Sequence, residues 1–266
     1  MELREFKELV WDKGRELFRP MPWRDDTQPY YVLVSEIMLQ QTQVDRVKPK
    51  FAAFISTFPT IDALAGAGLD DVLRLWSGLG YNRRAKFLHS AAKMVRDECE
   101  GVFPDTLQGL LKLPGVGVNT AGALLAYSFN QPSIFIETNI RTVYFYHLFA
   151  HQNMVDDKEL RALVEQTVDA EHPREWYWAL MDYGTYLKRN GVGQIDKSRQ
   201  YKKQSPLKGS VREVRGQIIR ALTKSALSVE ALSEDISADE RFEPALGGLL
   251  KDNLVTMTND ILHLTR

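Results

Sequence analysis

The sequence predicts an almost entirely α-helical protein that ends in a winged-helix-like module, and three observations carry that expectation. Apolar residues recur at helical spacing nearly everywhere up to residue 190. No run in that stretch alternates as a strand would. From Ser210 the pattern changes to three short helices followed by a hairpin, which is the element order of a winged helix.

Taken in order, the periodicity predicts helices over 3–19, 29–42, 44–57, 60–66, 69–76, 82–100, 105–111, 119–129, 139–150, 157–170 and 173–188. Turn chemistry sets the breaks at Pro20-Met21-Pro22, Phe58-Pro59, Gly78-Leu79-Gly80, Phe103-Pro104-Asp105, Asn130-Gln131-Pro132 and Asn190-Gly191. Residues 190–209 lack apolar periodicity and read as a basic linker. Helices over 211–224, 229–235 and 238–252 follow. Leu254-Val255-Thr256-Met257 and Ile261-Leu262-His263-Leu264 then flank Thr258-Asn259-Asp260, which is good hairpin chemistry. The presumptive recognition helix carries Asp239, Glu240, Glu243 and Asp252 against Arg241 and Lys251. Major-groove readers need a basic face, so this module is expected to pack or dock against protein rather than read bases.

At 266 residues, 44% hydrophobic and 10% aromatic, the chain can bury a substantial core in one large domain or two smaller ones. A single cysteine, Cys99, excludes a disulfide framework and any cysteine-ligated zinc or iron–sulfur cluster within the chain. Cys99 itself reads as a buried small hydrophobe. No segment approaches 18 apolar residues, and Met1-Glu2-Leu3-Arg4-Glu5-Phe6 is too charged for a signal peptide. The protein is therefore expected to be soluble and cytoplasmic, with no membrane partner. The net charge of −1 hides a polarised distribution. Residues 188–215 hold nine Lys or Arg against two acids, and residues 230–243 hold six acids against one Arg. The basic stretch reads as a solvated linker or as a nucleic-acid footprint.

Leu113-Pro114-Gly115-Val116-Gly117-Val118-Asn119 is a glycine hairpin between two helical patterns. Gly115 and Gly117 let the backbone turn with N–H groups pointing outward at a helix N-terminus, an arrangement that binds phosphate. Twenty residues beyond Gly117, the lone carboxylate Glu137 closes the apolar run Ser133-Ile134-Phe135-Ile136. Desolvating a carboxylate is costly unless something depends on it. The pair reads as a grip on a nucleic-acid backbone beside a reactive acid. An ordinary helix corner and an acid facing the dipole of the following helix remain open alternatives on these residues alone.

A second carboxylate, Glu36, interrupts the apolar helix Tyr30-Tyr31-Val32-Leu33-Val34-Ser35-Glu36-Ile37-Met38-Leu39, where burial should raise its pKa. Glu137, at a helix N-terminus beside Thr138 and Asn139, should have its pKa lowered by the dipole and nearby donors. Two carboxylates pushed in opposite directions suit one proton donor and one anion, as in glycosidases. Gln40-Gln41-Thr42-Gln43 then supplies amides suited to base edges or to the gap left by an extruded base. Arg19-Pro20-Met21-Pro22-Trp23-Arg24 supplies an aromatic platform flanked by cations. Gly78-Leu79-Gly80-Tyr81 supplies an apolar residue and an aromatic that could wedge between bases.

On these residues the sequence resembles the helix-hairpin-helix DNA glycosylase superfamily, and within it the MutY-type adenine glycosylases. The resemblance covers roughly residues 15–190. It is carried by Pro22-Trp23-Arg24, by Ser35-Glu36-Ile37-Met38-Leu39-Gln40-Gln41-Thr42-Gln43-Val44, by Leu75-Trp76-Ser77-Gly78-Leu79-Gly80-Tyr81, by Leu113-Pro114-Gly115-Val116-Gly117 and by Ala179-Leu180-Met181-Asp182-Tyr183-Gly184. It implies a two-lobed fold: a six-helix barrel lobe over 28–137 ending in the helix-hairpin-helix, and a second helical lobe from 1–27 and 138–190. A basic linker (191–209) and the winged-helix-like domain (210–266) complete the expected organisation. By the same resemblance, Glu36 is the general acid that protonates the adenine ring nitrogen, Glu137 stabilises the oxocarbenium ion or bonds it transiently, and Asn139 assists that carboxylate. Arg19, Trp23, Asn119 and Asp182 match base-pocket positions. Gln41, Leu79 and Tyr81 match residues that enter the stack around the extruded nucleotide, and Gln40 and Thr42 are expected to contact DNA beside them. The hairpin (Gly115, Val116, Gly117, Val118, Asn119) holds a phosphate, with a monovalent cation on the carbonyls of Leu113 and Val116.

Five departures bear on function. The family carboxylate is normally aspartate, and Glu137 adds one methylene, about 1.5 Å of reach. Thr138 stands where adenine-specific members usually have glycine and relatives acting on oxidised pyrimidines have threonine. Asn119 stands where bifunctional members place the Schiff-base lysine. The four cluster cysteines are absent, their loop being replaced by a stretch with Lys188, Arg189, Lys197, Arg199, Lys202 and Lys203, of which Lys197, Arg199, Lys202 and Lys203 are expected to contact DNA phosphates. The domain that reads 8-oxoguanine is replaced by the winged-helix-like module. The expectation is a monomeric, cofactor-free, monofunctional DNA glycosylase, nucleoid-associated, acting on duplex DNA with a mismatch or damaged base, most plainly a mispaired adenine. A mismatch thymine or uracil or modified-base glycosylase, and a catalytically impaired lesion- or structure-binding protein, are the alternatives.

Overall fold

The computed structural model describes residues 1–199 and 204–266. Twelve helices occupy its first 190 residues: α1 (Leu3–Glu16), α2 (Pro22–Asp25), α3 (Pro29–Leu39), α4 (Val44–Thr57), α5 (Ile61–Gly66), α6 (Leu69–Trp76), α7 (Arg83–Glu98), α8 (Leu107–Leu110), α9 (Val118–Tyr127), α10 (Thr138–His147), α11 (Asp157–Thr167) and α12 (Pro173–Arg189). The C-terminal module follows as α13 (Val211–Leu222), β1 (Leu227–Ser228), α14 (Val229–Asp235), α15 (Phe242–Lys251), β2 (Val255–Thr258) and β3 (Ile261–Leu264). The predominantly helical fold with a small C-terminal sheet module is the one the periodicity predicts.

Packing divides the chain into two units. The first comprises Met1–Val32, Asp105–Leu111 and Val116–Lys203, described to residue 199. In it α12 packs on α1 and α10. Phe6, Val10, Tyr144, Phe145, Trp176, Tyr177 and Leu180 are buried at these contacts, with the Phe6 and Tyr144 rings 4.8 Å apart.

The second unit comprises Leu33–Pro104, Lys112–Gly115 and Gln204–Arg266. α7 packs on α5 and α6, and α6 on α4. The fully buried stripe of α7 includes Ala85, Leu88, Ala91, Ala92 and Val95, one face at helical spacing. In the C-terminal module α13 and α15 pack on each other and against an antiparallel sheet of order β1-β3-β2. Val255 pairs with Leu264 and Thr258 with Ile261, and Asn259 and Asp260 are both left-handed, as a two-residue hairpin turn requires.

Several boundaries differ from expectation. The Pro20-Met21-Pro22 break runs straight into α2, which Pro22 opens because a helix start does not use the N–H that proline lacks. The helix expected from residue 238 begins at Phe242, since Asp239 folds back to accept from the Arg241 backbone and guanidinium. β1 is too short for any pattern to announce. Inside the expected linker, Ile195–Lys197 forms a 3₁₀ turn and Val155 pairs with Ser198, because the Val155 N–H donates to the Lys197 carbonyl at 2.8 Å. Cys99 is half-buried rather than buried, since it sits at the end of α7.

Candidate active site

Glu137 is positioned by a segment stitched to its neighbours. The Ser133 hydroxyl donates to the Gly122 carbonyl (2.7 Å), and the Tyr177 hydroxyl donates to the Ser133 carbonyl (2.6 Å). Phe135 lies so close to α9 that a Cβ on Gly122 would stand 2.8 Å from the Phe135 Cβ. One turn earlier on α9, Asn119 pairs with the Ile136 backbone. Its Nδ2 donates to the Ile136 carbonyl at 3.1 Å, and its Oδ1 accepts from the Ile136 N–H at 3.2 Å.

Glu137 then stands at the N-cap of α10, yet its side chain accepts no capping hydrogen bond. Burial pushes its pKa up. This corrects the expectation that the dipole lowers it. Loss of hydration disfavours the anion more than a helix terminus without a capping bond favours it.

Asn139 is fixed from α12. Its Nδ2 donates to the Thr185 hydroxyl at 3.3 Å, and the Lys188 ammonium donates to its Oδ1 at 3.0 Å. The approach is possible because residue 184 is glycine: a Cβ there would stand 2.3 Å from the Asn139 carbonyl oxygen. Burial, and then the nearby Arg19, lower the Lys188 pKa. Asp182, 2% exposed, receives both guanidinium nitrogens of Arg24 (2.7 and 3.0 Å), the Arg19 Nε (2.7 Å) and the Arg19 N–H (3.1 Å). Of the base-pocket candidates, Arg19 and Asp182 thus form an ion-pair anchor between the 19–24 turn and α12. Trp23 is buried in α2, and Asn119 is the clamp on Ile136.

In the hairpin, Gly115 is left-handed (φ +78°), and a Cβ there would stand 2.7 Å from that of Phe87. Gly117 has an extended backbone (φ −92°) and caps α9, so its conformation does not demand glycine. A Cβ at Gly117 would nonetheless meet no heavy atom within 4 Å among the described residues. Val118 is exposed and Val116 buried. The first N–H groups of a helix have no intrahelical partner, and here they open on uncrowded backbone suited to an anion.

In the second unit, Glu36 is half-buried on α3 between the buried Ser35 and Ile37. The turn after α3 has Gln40 and Thr42 half-buried and Gln41 exposed with φ +56°. Tyr81 is 38% exposed with φ +49°, whereas Leu79 is 4% exposed and belongs to the core. Left-handed backbone at a non-glycine residue costs about 1–2 kcal/mol, and such strain collects at functional sites. Arg84 holds both turns together. One guanidinium nitrogen donates to the carbonyls of Ile37, Met38 and Gln40 at 2.7, 2.9 and 2.6 Å. The other donates to Thr42 Oγ1 and to the carbonyls of Leu79 and Gly80 at 3.2, 3.3 and 3.1 Å. Burial pulls its pKa down to about 10. The motif reading missed Arg84, although its position on the buried stripe of α7 was a usable signal.

Of the basic candidates, the Lys197 ammonium donates to the Phe149 and Ala150 carbonyls, both at 3.1 Å, closing the end of α10. Arg199 is exposed and loosely paired with Asp156 at 3.8 Å. Lys202 and Lys203 lie outside the described residues.

The profile of the HhH-GPD superfamily base excision DNA repair proteins matches residues 34–169, just over half the chain. The chain belongs to that superfamily. The adenine DNA glycosylase of Mycolicibacterium smegmatis is 33% identical over 265 residues, 91% of this chain and 89% of the relative. That of Buchnera aphidicola subsp. Baizongia pistaciae is 39% identical over 170 residues, 64% of this chain and 48% of the relative. The chain therefore sits in the MutY-type branch, while spanning about half the length of the Buchnera proteins it matches. Among solved structures, a thermostable thymine-DNA glycosylase superposes with a TM-score of 0.61 at 24% identity, covering 68% of this chain and 85% of that one. An endonuclease III trapped covalently on DNA superposes at 0.55 and 20% identity, covering 77% and 86%. These two show the shared fold. The iron–sulfur cluster of the wider fold family does not fit this chain, which has one cysteine to offer.

Proposed function

We propose that the protein is a monofunctional adenine DNA glycosylase that flips a mispaired adenine from duplex DNA, hydrolyses its N-glycosyl bond and leaves an abasic site. The observation that carries this reading is the setting of Glu137, a desolvated carboxylate held at a helix start by the Asn119–Ile136 clamp, eighteen residues beyond a hairpin whose amides suit a phosphate. Relatives named adenine DNA glycosylase at 32–39% identity support the choice of base.

In this mechanism Glu36 donates a proton to the adenine ring nitrogen, and the C1′–N9 bond breaks with its electron pair going to the protonated base, which leaves as neutral adenine. The Glu137 carboxylate stabilises the oxocarbenium ion, and water adds at C1′ as its proton passes to the carboxylate that Glu36 became on donating its own. Asn119 has no amine, so no imine forms at that position and the strand stays intact. The enzyme works without a cofactor, as a cytoplasmic monomer on DNA, with a monovalent cation on the hairpin carbonyls of Leu113 and Val116. Glu137 in place of aspartate and Thr138 in place of glycine favour a second reading, a glycosylase for a thymine, uracil or modified base.

A panel of duplexes carrying mispaired, deaminated and oxidised bases tests both. Release of adenine, with strand breakage only after heat or alkali, is expected. Release of a pyrimidine instead moves the chain to the second reading. Duplex binding without release of any base makes it a binding protein. A borohydride-trapped adduct in good yield removes the monofunctional assignment.

A further inference from the structure

The segment that leads into the C-terminal module touches both left-handed turns of its own unit. Gln204 Nε2 donates to Gln41 Oε1 at 2.9 Å. Eight residues on, in the first turn of α13, Arg212 donates to the Tyr81 hydroxyl, and its guanidinium carbon lies 5.4 Å from the Tyr81 ring centroid. The same guanidinium donates to the Ser205 carbonyl (2.7 Å) and hydroxyl (3.2 Å), which fixes the link between Gln204 and α13.

The module is anchored where such a hold is effective. The Tyr81 turn joins α6 to α7, and the module is pinned to both helices. Arg74 of α6 donates to the Thr223 carbonyl. Lys86 of α7 donates to the Asp252 carbonyl at 2.7 Å, and Arg83 pairs with the Asp252 carboxylate at 3.6 Å. Arg84 approaches the same ring from within the unit, its guanidinium carbon 5.6 Å from the Tyr81 centroid. Tyr81 is thus gripped by two cations, one from the glycosylase helices and one from the module.

We propose that the C-terminal module is a positioning element for DNA insertion, in which Gln204 and Arg212 hold Gln41 and Tyr81 in the left-handed conformations from which they enter the base stack. Its consequence for base extrusion rests on the glycosylase reading above. A side chain already aimed does not lose further freedom at the moment of insertion, so the hold raises the extrusion rate rather than duplex affinity. The acidic face of the module is compatible with this role, because positioning requires no contact between the module and DNA.

The test uses the full chain with R212A, R212K and Q204A, and R220A as an exposed control on the same helix. Hydrogen exchange of residues 77–83 is expected to quicken about tenfold in R212A, and that of 40–43 in Q204A, with R220A unchanged. With 2-aminopurine beside the target adenine, extrusion by R212A is expected to slow about tenfold while the duplex Kd stays within about threefold. R212K should rescue only part, since a lysine cannot hold the tyrosine hydroxyl and Ser205 in one planar fork. Unchanged exchange in R212A overturns the proposal. So does extrusion that is unchanged or faster, which would make Arg212 idle or a restraint on Tyr81. If the wild-type protein extrudes no base from any duplex, the glycosylase reading fails, and the exchange data alone decide whether the module holds the turns.

Discussion

Asn119 and Ile136 are joined as two strands would be, a side-chain amide on α9 taking both backbone hydrogen bonds of the residue before Glu137. The pairing turns the start of α9, which carries the hairpin amides, and the Glu137 backbone into one piece. Asn119 can act on chemistry without touching substrate.

Replacing Asn119 by alanine frees that backbone. A misplacement of about 1 Å costs on the order of a hundredfold in rate, so single-turnover base release should fall by about tenfold to a hundredfold. Duplex affinity, dominated by phosphate contacts, should stay within a few-fold. Asn119→Asp keeps the acceptor but sets an oxygen against the Ile136 carbonyl, and should be at least as slow. Rates for both variants that match wild type would show that the clamp is only structural.

Glu137 ties stability to activity in opposite senses. Burial raises its folded-state pKa above an unfolded value of about 4.3. Between those two pH values the folded protein holds a proton the unfolded chain has lost, so stability falls as pH rises through that window and stays lower above it. Glu137→Gln carries no charge and should raise Tm by a few degrees (roughly 2–4 °C per kcal/mol in a chain of this size) at pH 7.5, the gain vanishing below about pH 4. Base release should be abolished. In the wild type, the acid limb of the release rate should lie above the ordinary carboxylate range. A Tm for the variant equal to or below wild type at pH 7.5 would remove the desolvation account.

Helical spacing and turn residues made the two sets of helices and the C-terminal hairpin legible, and the motif strings located Glu36, Glu137 and both left-handed turns. What escaped the reading has a common cause. Asn119 and Asp182 act through partners 17 to 163 residues away along the chain, and Arg84 joins the nearby Gly80 turn to the end of α3 more than 40 residues away, pairings that local pattern does not specify. Motif position places Asp182 and Asn119 at a base pocket, and the structure adds ties that the motifs do not announce: Asp182 to Arg19 and Arg24, and Asn119 to the Ile136 backbone. Gly117 was read as a turn glycine, yet its backbone is extended, so its lack of a side chain bears on access rather than conformation. Leu79 was read as a wedge from its neighbours, and only the packed core shows that Tyr81 alone of the pair is exposed.

Asp182 offers a stability test that separates anchoring from catalysis. It neutralises the buried Arg24 and also holds Arg19. Removing one partner of a buried pair typically costs about 3–5 kcal/mol, because the other charge is left unpaired. Asp182→Ala should therefore lower unfolding free energy by that order in denaturant titrations. Arg24→Met in the same background should recover part of it, since the stranded cation is then gone. A loss below about 1 kcal/mol, on the scale of a surface pair, would mean that Arg24 finds another partner.

The basic stretch after α12 should split into residues that hold the protein and residues that hold DNA. Lys197 donates to the Phe149 and Ala150 carbonyls at the end of α10, so its charge serves a helix C-terminus. Lys197→Ala should lower unfolding free energy by about 1–2 kcal/mol, and it should leave the salt dependence of duplex binding unchanged. Arg199 is exposed, and its 3.8 Å pairing with Asp156 is weak enough to exchange for a phosphate. Arg199→Ala should leave Tm unchanged within about 1 °C, as surface substitutions usually do, and should flatten the slope of log K against log salt by roughly 0.9. Binding titrations at several salt concentrations, run beside thermal melts, read both effects. If Lys197→Ala flattens the slope as much as Arg199→Ala, its ammonium leaves the helix end for DNA and the division between the two residues is wrong.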